Sequence, residues 1–269
     1  MLHAESRTEV DQAAHNGLIV DQFTRQAALF AERNRLEESL PFLLQFSGVS
    51  ARDTVLDVAC GPGIVACAFA EVAGHVTGID LTPAMLEQAR ALQTVRALAN
   101  LTWVQGDVTA LPFADDSFSI VVTRYTFHHF LSPEAVLGEM ARVCRPGGRV
   151  VISDITPDAA KSSAYDRFET LRDPSHVHAL ALDTLRGMVA GANLRQVEMA
   201  RFGREMEFEF LLSGSFPNPG DAERMREWIH DDVGKDVIGI GAHVKDGKYF
   251  VSFPVTVIAA EKAIHEGLR

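Results

Sequence analysis

From Thr54 onward, apolar residues occur in short unbroken runs, each followed by a stretch in which they recur every three or four positions. The runs at 54–59, 76–80, 101–105, 118–123 and 149–154 are rich in Val and Ile and predict strands buried on both faces. The stretches at 63–73, 82–98 and 132–144 carry helical periodicity. Alternation of this kind predicts an α/β fold, a doubly wound Rossmann-like sheet with ligand at the carboxyl ends of its strands. Upstream, Val20, Phe23, Ala27 and Phe30 form one stripe of an amphipathic helix over 20–35, preceded by a polar leader. A second helical piece over 36–46 is expected to bend near Pro41. Downstream come helices near 159–171 and 183–191, a period-2 stretch from Val197 to Phe210, a polar Pro/Gly-containing section at 213–248 and a last strand from Tyr249 to Ala260. The sheet is thus expected to be mostly parallel with an antiparallel late strand. The implied division is an N-terminal helical cap (1–50), a core (51–212), an insertion that acts as an acceptor-site lid (213–248), and a final core strand with tail (249–269).

Composition narrows the partners. The 269 residues are 47% hydrophobic and 23% charged, ordinary for a soluble globular protein. Thirty-six acidic residues against 25 basic ones give a formal charge of -11, which repels a nucleic-acid backbone. Cys60, Cys67 and Cys144 lie in apolar patterns without metal-ligand spacing, and their odd number argues against a disulfide framework. No apolar run approaches the roughly 18–20 residues of a membrane span, and the polar, acidic N-terminus is unlike a signal peptide. A cytoplasmic protein without a metal is the expectation.

The segment Val55-Leu-Asp-Val-Ala-Cys-Gly-Pro-Gly63 joins a buried strand to a glycine turn and a helix start. Such a helix N-terminus suits an anionic ligand group, which makes this a nucleotide-type loop. Gly61, Gly63 and Ala66 also satisfy G-x-G-x-x-A, so an NAD-dependent oxidoreductase enters as an alternative. Asp80 ends the second strand 17 residues after Gly63 and can accept ribose hydroxyls in either case. Asp107 is more discriminating. With Asp57 and Asp80 it places acids at three successive strand ends, which repel a pyrophosphate but suit S-adenosylmethionine, with its ammonium, sulfonium, ribose hydroxyls and adenine amine.

Five ordered motifs carry a family resemblance: VLDVACGPG (55–63), VTGIDLTPAMLEQAR (76–90), GDVTALPFADDSFSIVV (106–122), HHF (128–130) and EMARVCRPGGRVVISD (139–154). Over about residues 20–200 the chain resembles the class I S-adenosylmethionine-dependent methyltransferases, in the group similar to ubiquinone/menaquinone-biosynthesis and small-molecule natural-product enzymes. The resemblance implies that Asp57 and the backbone from Ala59 through Gly61 to Gly63 surround the methionine part, and that Asp80 holds the ribose. It also implies an adenine pocket of Leu81 and Met85, read at its edge by Asp107 and the Val108 backbone, with Phe23 and Phe30 in a lid. Ala59 stands where the family often has glycine. Each acid also has a local role open to it: Asp57 and Asp80 as helix caps, Asp107 in a turn. Met85 fits the core as well as the pocket.

The catalytic candidates follow the fourth strand, in Arg124-Tyr-Thr-Phe-His-His-Phe130, beside the expected sulfonium. His128 is the candidate base, with Asp154 at the end of the fifth strand to orient it; similar sugar and natural-product O-methyltransferases use such a pair. His129 is a second candidate, with a packing role beneath the helix at Ser132-Pro133 as its alternative. His176 and His178 are further candidates from a variable region. The Asn/Asp-Pro-Pro-Tyr motif of enzymes that methylate base or glutamine nitrogens is missing, which again argues against nucleic acid. Phe168, Met206, Phe208, Phe210, Phe216 and Trp228 are candidates to line an apolar or aromatic acceptor pocket, about half of them belonging to core instead. The leading expectation is therefore methyl transfer from S-adenosylmethionine to oxygen or carbon of a small organic acceptor. An NAD-dependent oxidoreductase and a non-catalytic S-adenosylmethionine-binding protein are the alternatives.

Overall fold

The computed structural model describes residues 2–33 and 38–264. In chain order its helices are α1 (Leu2–Arg33), α2 (Leu40–Ser47), α3 (Ile64–Ala70), α4 (Pro83–Val95), α5 (Pro133–Val143), α6 (Ser162–Arg172), α7 (Leu182–Gly191), α8 (Phe208–Leu212) and α9 (Asp221–Asp232). The strands are β1 (Thr54–Val58), β2 (His75–Asp80), β3 (Leu101–Gln105), β4 (Phe118–Arg124), β5 (Cys144–Ile155), β6 (Leu194–Glu207), β7 (His243–Lys245) and β8 (Lys248–Lys262). They form one sheet in the order β3-β2-β1-β4-β5-β8-β6, with β7 on β8. The pairs from β3 to β5 are parallel, and β8 runs antiparallel to β5, β6 and β7. The chain leaves β1 toward β2 and β3, then returns to β4 on the other side. The crevice at the carboxyl ends of β1 and β4 is the switch point where such sheets hold ligands.

The apolar runs divide between two cores by the period-2 rule. Val55, Ile120, Val122 and Val151 pack with α2 and α3, while Leu56, Val121, Val150 and Ile152 pack with α5 and α7. A third cluster lies beyond the sheet. The strands β6 and β8, of 14 and 15 residues, are registered from Leu194↔Lys262 to Glu207↔Phe250, whereas β5 meets β8 only between Arg149↔Glu261 and Ile155↔Val255. The overhanging ends carry Val251 and Phe253 into contact with Phe168 of α6, Phe208 of α8 and Met225 and Ile229 of α9. This second tier stands above the carboxyl edge and becomes a wall of the site.

Several elements differ from the sequence expectation for local reasons. The helix expected over 20–35 starts at Leu2, because the polar leader is itself helical. Pro41 does not bend a helix: it lies in the first turn of α2, where its missing N–H costs nothing, and Gly48 closes that helix with φ 64°. The alternating stretch ends as a strand at Glu207, and Phe208–Leu212 coils so that Phe208 and Leu212 share the buried face. The side chain of Phe30 lies outside the described residues.

The turn after β1 depends on two left-handed residues next to tight packing. Gly63 has φ 78°, and a Cβ there would lie 2.7 Å from the Trp103 ring and 2.9 Å from Ala89 Cβ. Ala59 adopts φ 54° despite its side chain. Gly63→Ala is accordingly expected to lower the free energy of unfolding by roughly 2–4 kcal/mol, from overpacking plus left-handed strain. Ala59→Gly is expected to raise it by roughly 0.5–1 kcal/mol, since relief of strain exceeds the added freedom of the unfolded chain. Chemical denaturation of both variants measures the two signs.

Candidate active site

The glycine turn is held by carboxylates, not by its glycines alone. Asp57 sits on the α3 side of β1, and its Oδ2 accepts the Ala66 N–H at 2.9 Å, which caps α3 from below. The helix end therefore already faces an acid, and a ligand phosphate there would meet like charge. Burial lifts the Asp57 pKa to about 7, although the Arg124 charge and the Ala66 N–H pull it down. Asp80, at the end of β2, accepts the Gly61 N–H on Oδ2 and the Thr82 N–H on Oδ1, each at 2.8 Å. Burial raises its pKa against these hydrogen bonds. Asp107 accepts the N–H and hydroxyl of Thr109 on Oδ1 at 2.8 and 2.7 Å, while Oδ2 takes Asn16 Nδ2 at 2.7 Å. Burial disfavours its charge, but these donors outweigh that and lower the pKa.

These groups surround a first cleft of about 980 Å³, part of it open to solvent. Asp57, Ala59, Gly61, Asp80, Leu81, Met85, Asp107, Val108, Arg124 and Phe23 all line it. Gly63 does not; its N–H donates to the Cys60 carbonyl at 3.0 Å and its missing Cβ makes room for Trp103, so it shapes the turn from behind. Met85 both lines the cleft and is buried to 2% exposure, so its two expected roles coincide. Gln12, Asn16 and Ile19 complete the wall. They were hidden in the polar leader, yet their 4-3-4 spacing with Phe23 marks one helical face.

A second cleft of about 970 Å³ adjoins the first, and Phe23, Tyr125 and His129 line both. Tyr125 follows β4 with φ 56°, a left-handed turn that sends the chain across the sheet edge. The following 3₁₀ turn, Phe127–His129, is gathered by Asp154 of β5. Asp154 Oδ2 accepts the Thr126 and Phe127 N–H groups at 3.0 and 2.7 Å, and Oδ1 accepts the Ile155 N–H at 2.7 Å and His128 Nδ1–H at 2.6 Å. Burial opposes both charges, but the pairing prevails: the His128 pKa is raised and that of Asp154 lowered. With Nδ1–H on Asp154, Nε2 of His128 carries the lone pair in the neutral ring. His128 faces the second cleft.

His129 is different. Burial and the neighbouring His128 push its pKa down to about 3, and Nδ1 donates to the Ser175 carbonyl at 3.1 Å. Its ring meets Phe23 edge-on at 5.1 Å, while His15 Nε2 donates to its backbone carbonyl at 2.7 Å. His176 and His178 line neither cleft. Both bind Asp166, at 2.8 and 2.5 Å, and the N–H groups of Val177 and His178 donate to the His128 carbonyl, so this loop braces the 3₁₀ turn. Among the described residues no group of three or more His, Cys, Asp or Glu side chains could hold a metal ion.

Of the six acceptor-pocket candidates, Met206 and Phe210 line the second cleft. Phe168, Phe208 and Trp228 pack in the upper core, and Phe216 lines neither cleft. From the 213–248 section, Gly214 and Ser215 reach the cleft, while α9 packs with Phe168 and β8. The stretch 159–191 is expected from the sequence to help form the acceptor pocket, and its helix α6 does so through Tyr165, Glu169 and Arg172, side chains that the sequence does not single out. Their i, i+4, i+7 spacing is its sequence signal.

Comparison with known proteins completes the picture. A model of the methyltransferase domain, Methyltransf_11, matches residues 56–152, from β1 to β5. YcgJ of Bacillus subtilis, an uncharacterized methyltransferase, is 29% identical over 202 residues, 74% of this chain and 78% of its own length. Its crystal structure superposes with a TM-score of 0.79 at 22% identity, covering 85% of this chain and 100% of that one. The ubiquinone/menaquinone biosynthesis C-methyltransferase UbiE of Roseobacter denitrificans is 37% identical over 138 residues, 49% of this chain and 55% of UbiE. Residues 56–152 form a class I S-adenosylmethionine-dependent methyltransferase domain. Its methyl donor is S-adenosylmethionine, not a nicotinamide cofactor.

In this methyltransferase Asp80 has a second task besides any ligand contact, because it ties the Gly61 turn to β2. Asp80→Ala leaves two N–H groups without their acceptor. The expected result is a loss of roughly 1–3 kcal/mol in stability together with at least about tenfold weaker S-adenosylmethionine binding. Denaturation and titration calorimetry read the two effects separately, and unchanged affinity removes Asp80 from the donor site.

Proposed function

We propose that this enzyme transfers a methyl group to an oxygen or carbon of a small organic acceptor bound in the second cleft, with His128 as the base. The observation that carries this reading is the shared wall: Phe23, Tyr125 and His129 separate an acid-lined cleft from one containing a histidine paired to a buried carboxylate. S-adenosylmethionine supplies an electrophilic methyl group whose C–S bonding pair stays with sulfur on transfer. In the first cleft Asp57 holds the ammonium, Asp80 offers its remaining lone pairs to the ribose hydroxyls, and Asp107 exchanges Asn16 for the adenine amine. Leu81, Met85 and Val108 flank the adenine ring, and Arg124 lies next to Asp57 at the end of β4.

On the acceptor side, His128 Nε2 takes the proton from the nucleophile as its electron pair goes to the methyl carbon, and Asp154 stabilises the resulting imidazolium. His129, held neutral, separates the two clefts without adding charge against a sulfonium. The likeness to a C-methyltransferase of quinone biosynthesis supports an apolar or aromatic acceptor, as do Met206, Phe210, Phe253 and Leu211 in the wall. The net charge of -11 and the missing Asn/Asp-Pro-Pro-Tyr motif disfavour nucleic acid. Among the described residues no helix is long and apolar enough to cross a membrane.

Incubation of a small-molecule extract with methyl-labelled S-adenosylmethionine is expected to place label in a low-mass product; label confined to protein or nucleic acid overturns the reading. With that product as assay, His128→Ala is expected to lower kcat by about 10²–10⁴ while donor affinity stays within about threefold. Because the His128 pKa is raised, kcat/KM should climb with pH through an apparent pKa above 6.5, and Asp154→Asn should move that limb to lower pH. An unmoved limb excludes the pair as base. Donor binding has its own dependence. Asp57 takes up a proton below about pH 7 in the free protein, so affinity should rise about tenfold per pH unit up to that point and then level off. Asp57→Asn should flatten the curve in calorimetric titrations.

A further inference from the structure

The wall of the second cleft includes a residue with a polar atom that neither the fold nor the methyl transfer uses. Glu169, on α6, is 2% exposed. Its Oε2 accepts Arg172 Nε at 2.7 Å and lies 2.6 Å from Arg172 Nη2. Its Oε1 is out of reach of bulk water and has no hydrogen-bond partner among the described residues. A buried carboxylate oxygen left unpaired loses its hydration without compensation, and native interiors rarely keep such a group without a use for it. Arg172 is anchored on the far side by Ser215 Oγ at 3.4 Å, so the guanidinium fixes the carboxylate without covering Oε1.

The surroundings define what this oxygen can bind. Ile155, Met206, Phe210, Leu211 and Phe253 give the cleft an apolar body, with Tyr165 at its side. The neighbouring charges are matched. Arg172 offsets Glu169, Asp173 is engaged by Ser175 and Gln26, and Arg204 lies over the Tyr125 ring. Oε2 is taken by the Arg172 guanidinium and Oε1 offers acceptor lone pairs, so the complementary group is an O–H or N–H. Because the ion pair is already neutral, a neutral donor is favoured over an ammonium, which would bring in an uncompensated charge.

We propose that Glu169 is the specificity-determining residue of the acceptor cleft, selecting neutral, largely apolar ring compounds that carry a hydroxyl or amino donor in addition to the group methylated. The inference rests on the second cleft being the acceptor site. The donor group binds Glu169 Oε1 while the nucleophile faces His128, whose ring feels the Glu169 charge. Two donors on one apolar frame fit the cleft; a single donor satisfies one end and leaves Oε1 bare.

Titration calorimetry with 1- and 2-naphthol and the set of naphthalenediols, in the presence of S-adenosylhomocysteine, tests this. At least one diol is expected to bind the wild-type enzyme tenfold or more tightly than its parent naphthol. Glu169→Gln should cut that ratio. Since it strands a buried guanidinium, the double variant Glu169→Met/Arg172→Met, which removes both partners, is the companion that keeps the fold. There the ratio should fall to about one with naphthol affinity retained. A ratio near one in the wild type, or one that survives the double variant, overturns the role of Glu169 and leaves the cleft assignment standing. Met206→Ala should weaken naphthols and diols alike. Absence of any naphthol binding, or binding unaffected by Met206→Ala, overturns the cleft assignment and the Glu169 inference with it.

Discussion

The carboxylate of Asp154 organises the working end of this methyltransferase. It takes three backbone N–H groups and one imidazole N–H, and so joins the end of β5, the turn after β4 and His128 in one buried node. A carboxylate in that position without donors would be costly, and with four it is both stable and charged. Everything that faces the two clefts depends on this arrangement. The left-handed turn at Tyr125, the 3₁₀ turn and the bracing loop of His176 and His178 all lead into or out of it. Asp57 and Asp80 do the same for the neighbouring turn: the first caps α3, the second holds Gly61. Three acids at strand ends thus have structural duties that precede any ligand.

That double duty explains what the sequence made legible and what it hid. Four of the five core strands were plain, because both their faces are buried and apolar runs follow directly, while the edge strand β3 was read from its shorter apolar run. The acids at their ends stood out for the same reason, as interruptions in those runs. Local roles as caps and in a turn were open to them in the sequence, but their partners were not legible, since Ala66, Thr82 and Thr109 offer backbone N–H groups that leave no trace in residue identity. Gly63 was read as a turn residue beside the ligand; its second role, leaving room for Trp103, was not legible, because Trp103 lies 40 positions away in the sequence and directly against it in space.

The first 19 residues were read as a leader because their polarity conceals a helix whose apolar face is narrow. A helix covering polar clefts presents Gln12 and Asn16 inward, where a core helix would present leucines. In the upper tier about half of the six candidates were expected in the core, and three are there, but which three was hidden for a related reason. Its aromatics were sorted by type, but whether Phe208 is core or Met206 is wall depends on where the strand stops and coils, at Glu207. Glu169 and Arg172 were not singled out, since an i, i+3 Glu–Arg spacing is common on helix surfaces, and the overhang of β6 and β8 is among the elements that enclose them.

One helix spans the whole site. On α1, Gln12, Asn16, Ile19 and Phe23 roof the first cleft, while Phe23, Gln26 and Leu29 roof the second. At about 1.5 Å per residue the eighteen positions from Gln12 to Leu29 form a rod of roughly 25 Å, too stiff to lift over one cleft and stay seated on the other. A movement of this helix that opened one cleft would therefore open the other, which ties access to both chambers to the docking of a single amphipathic helix.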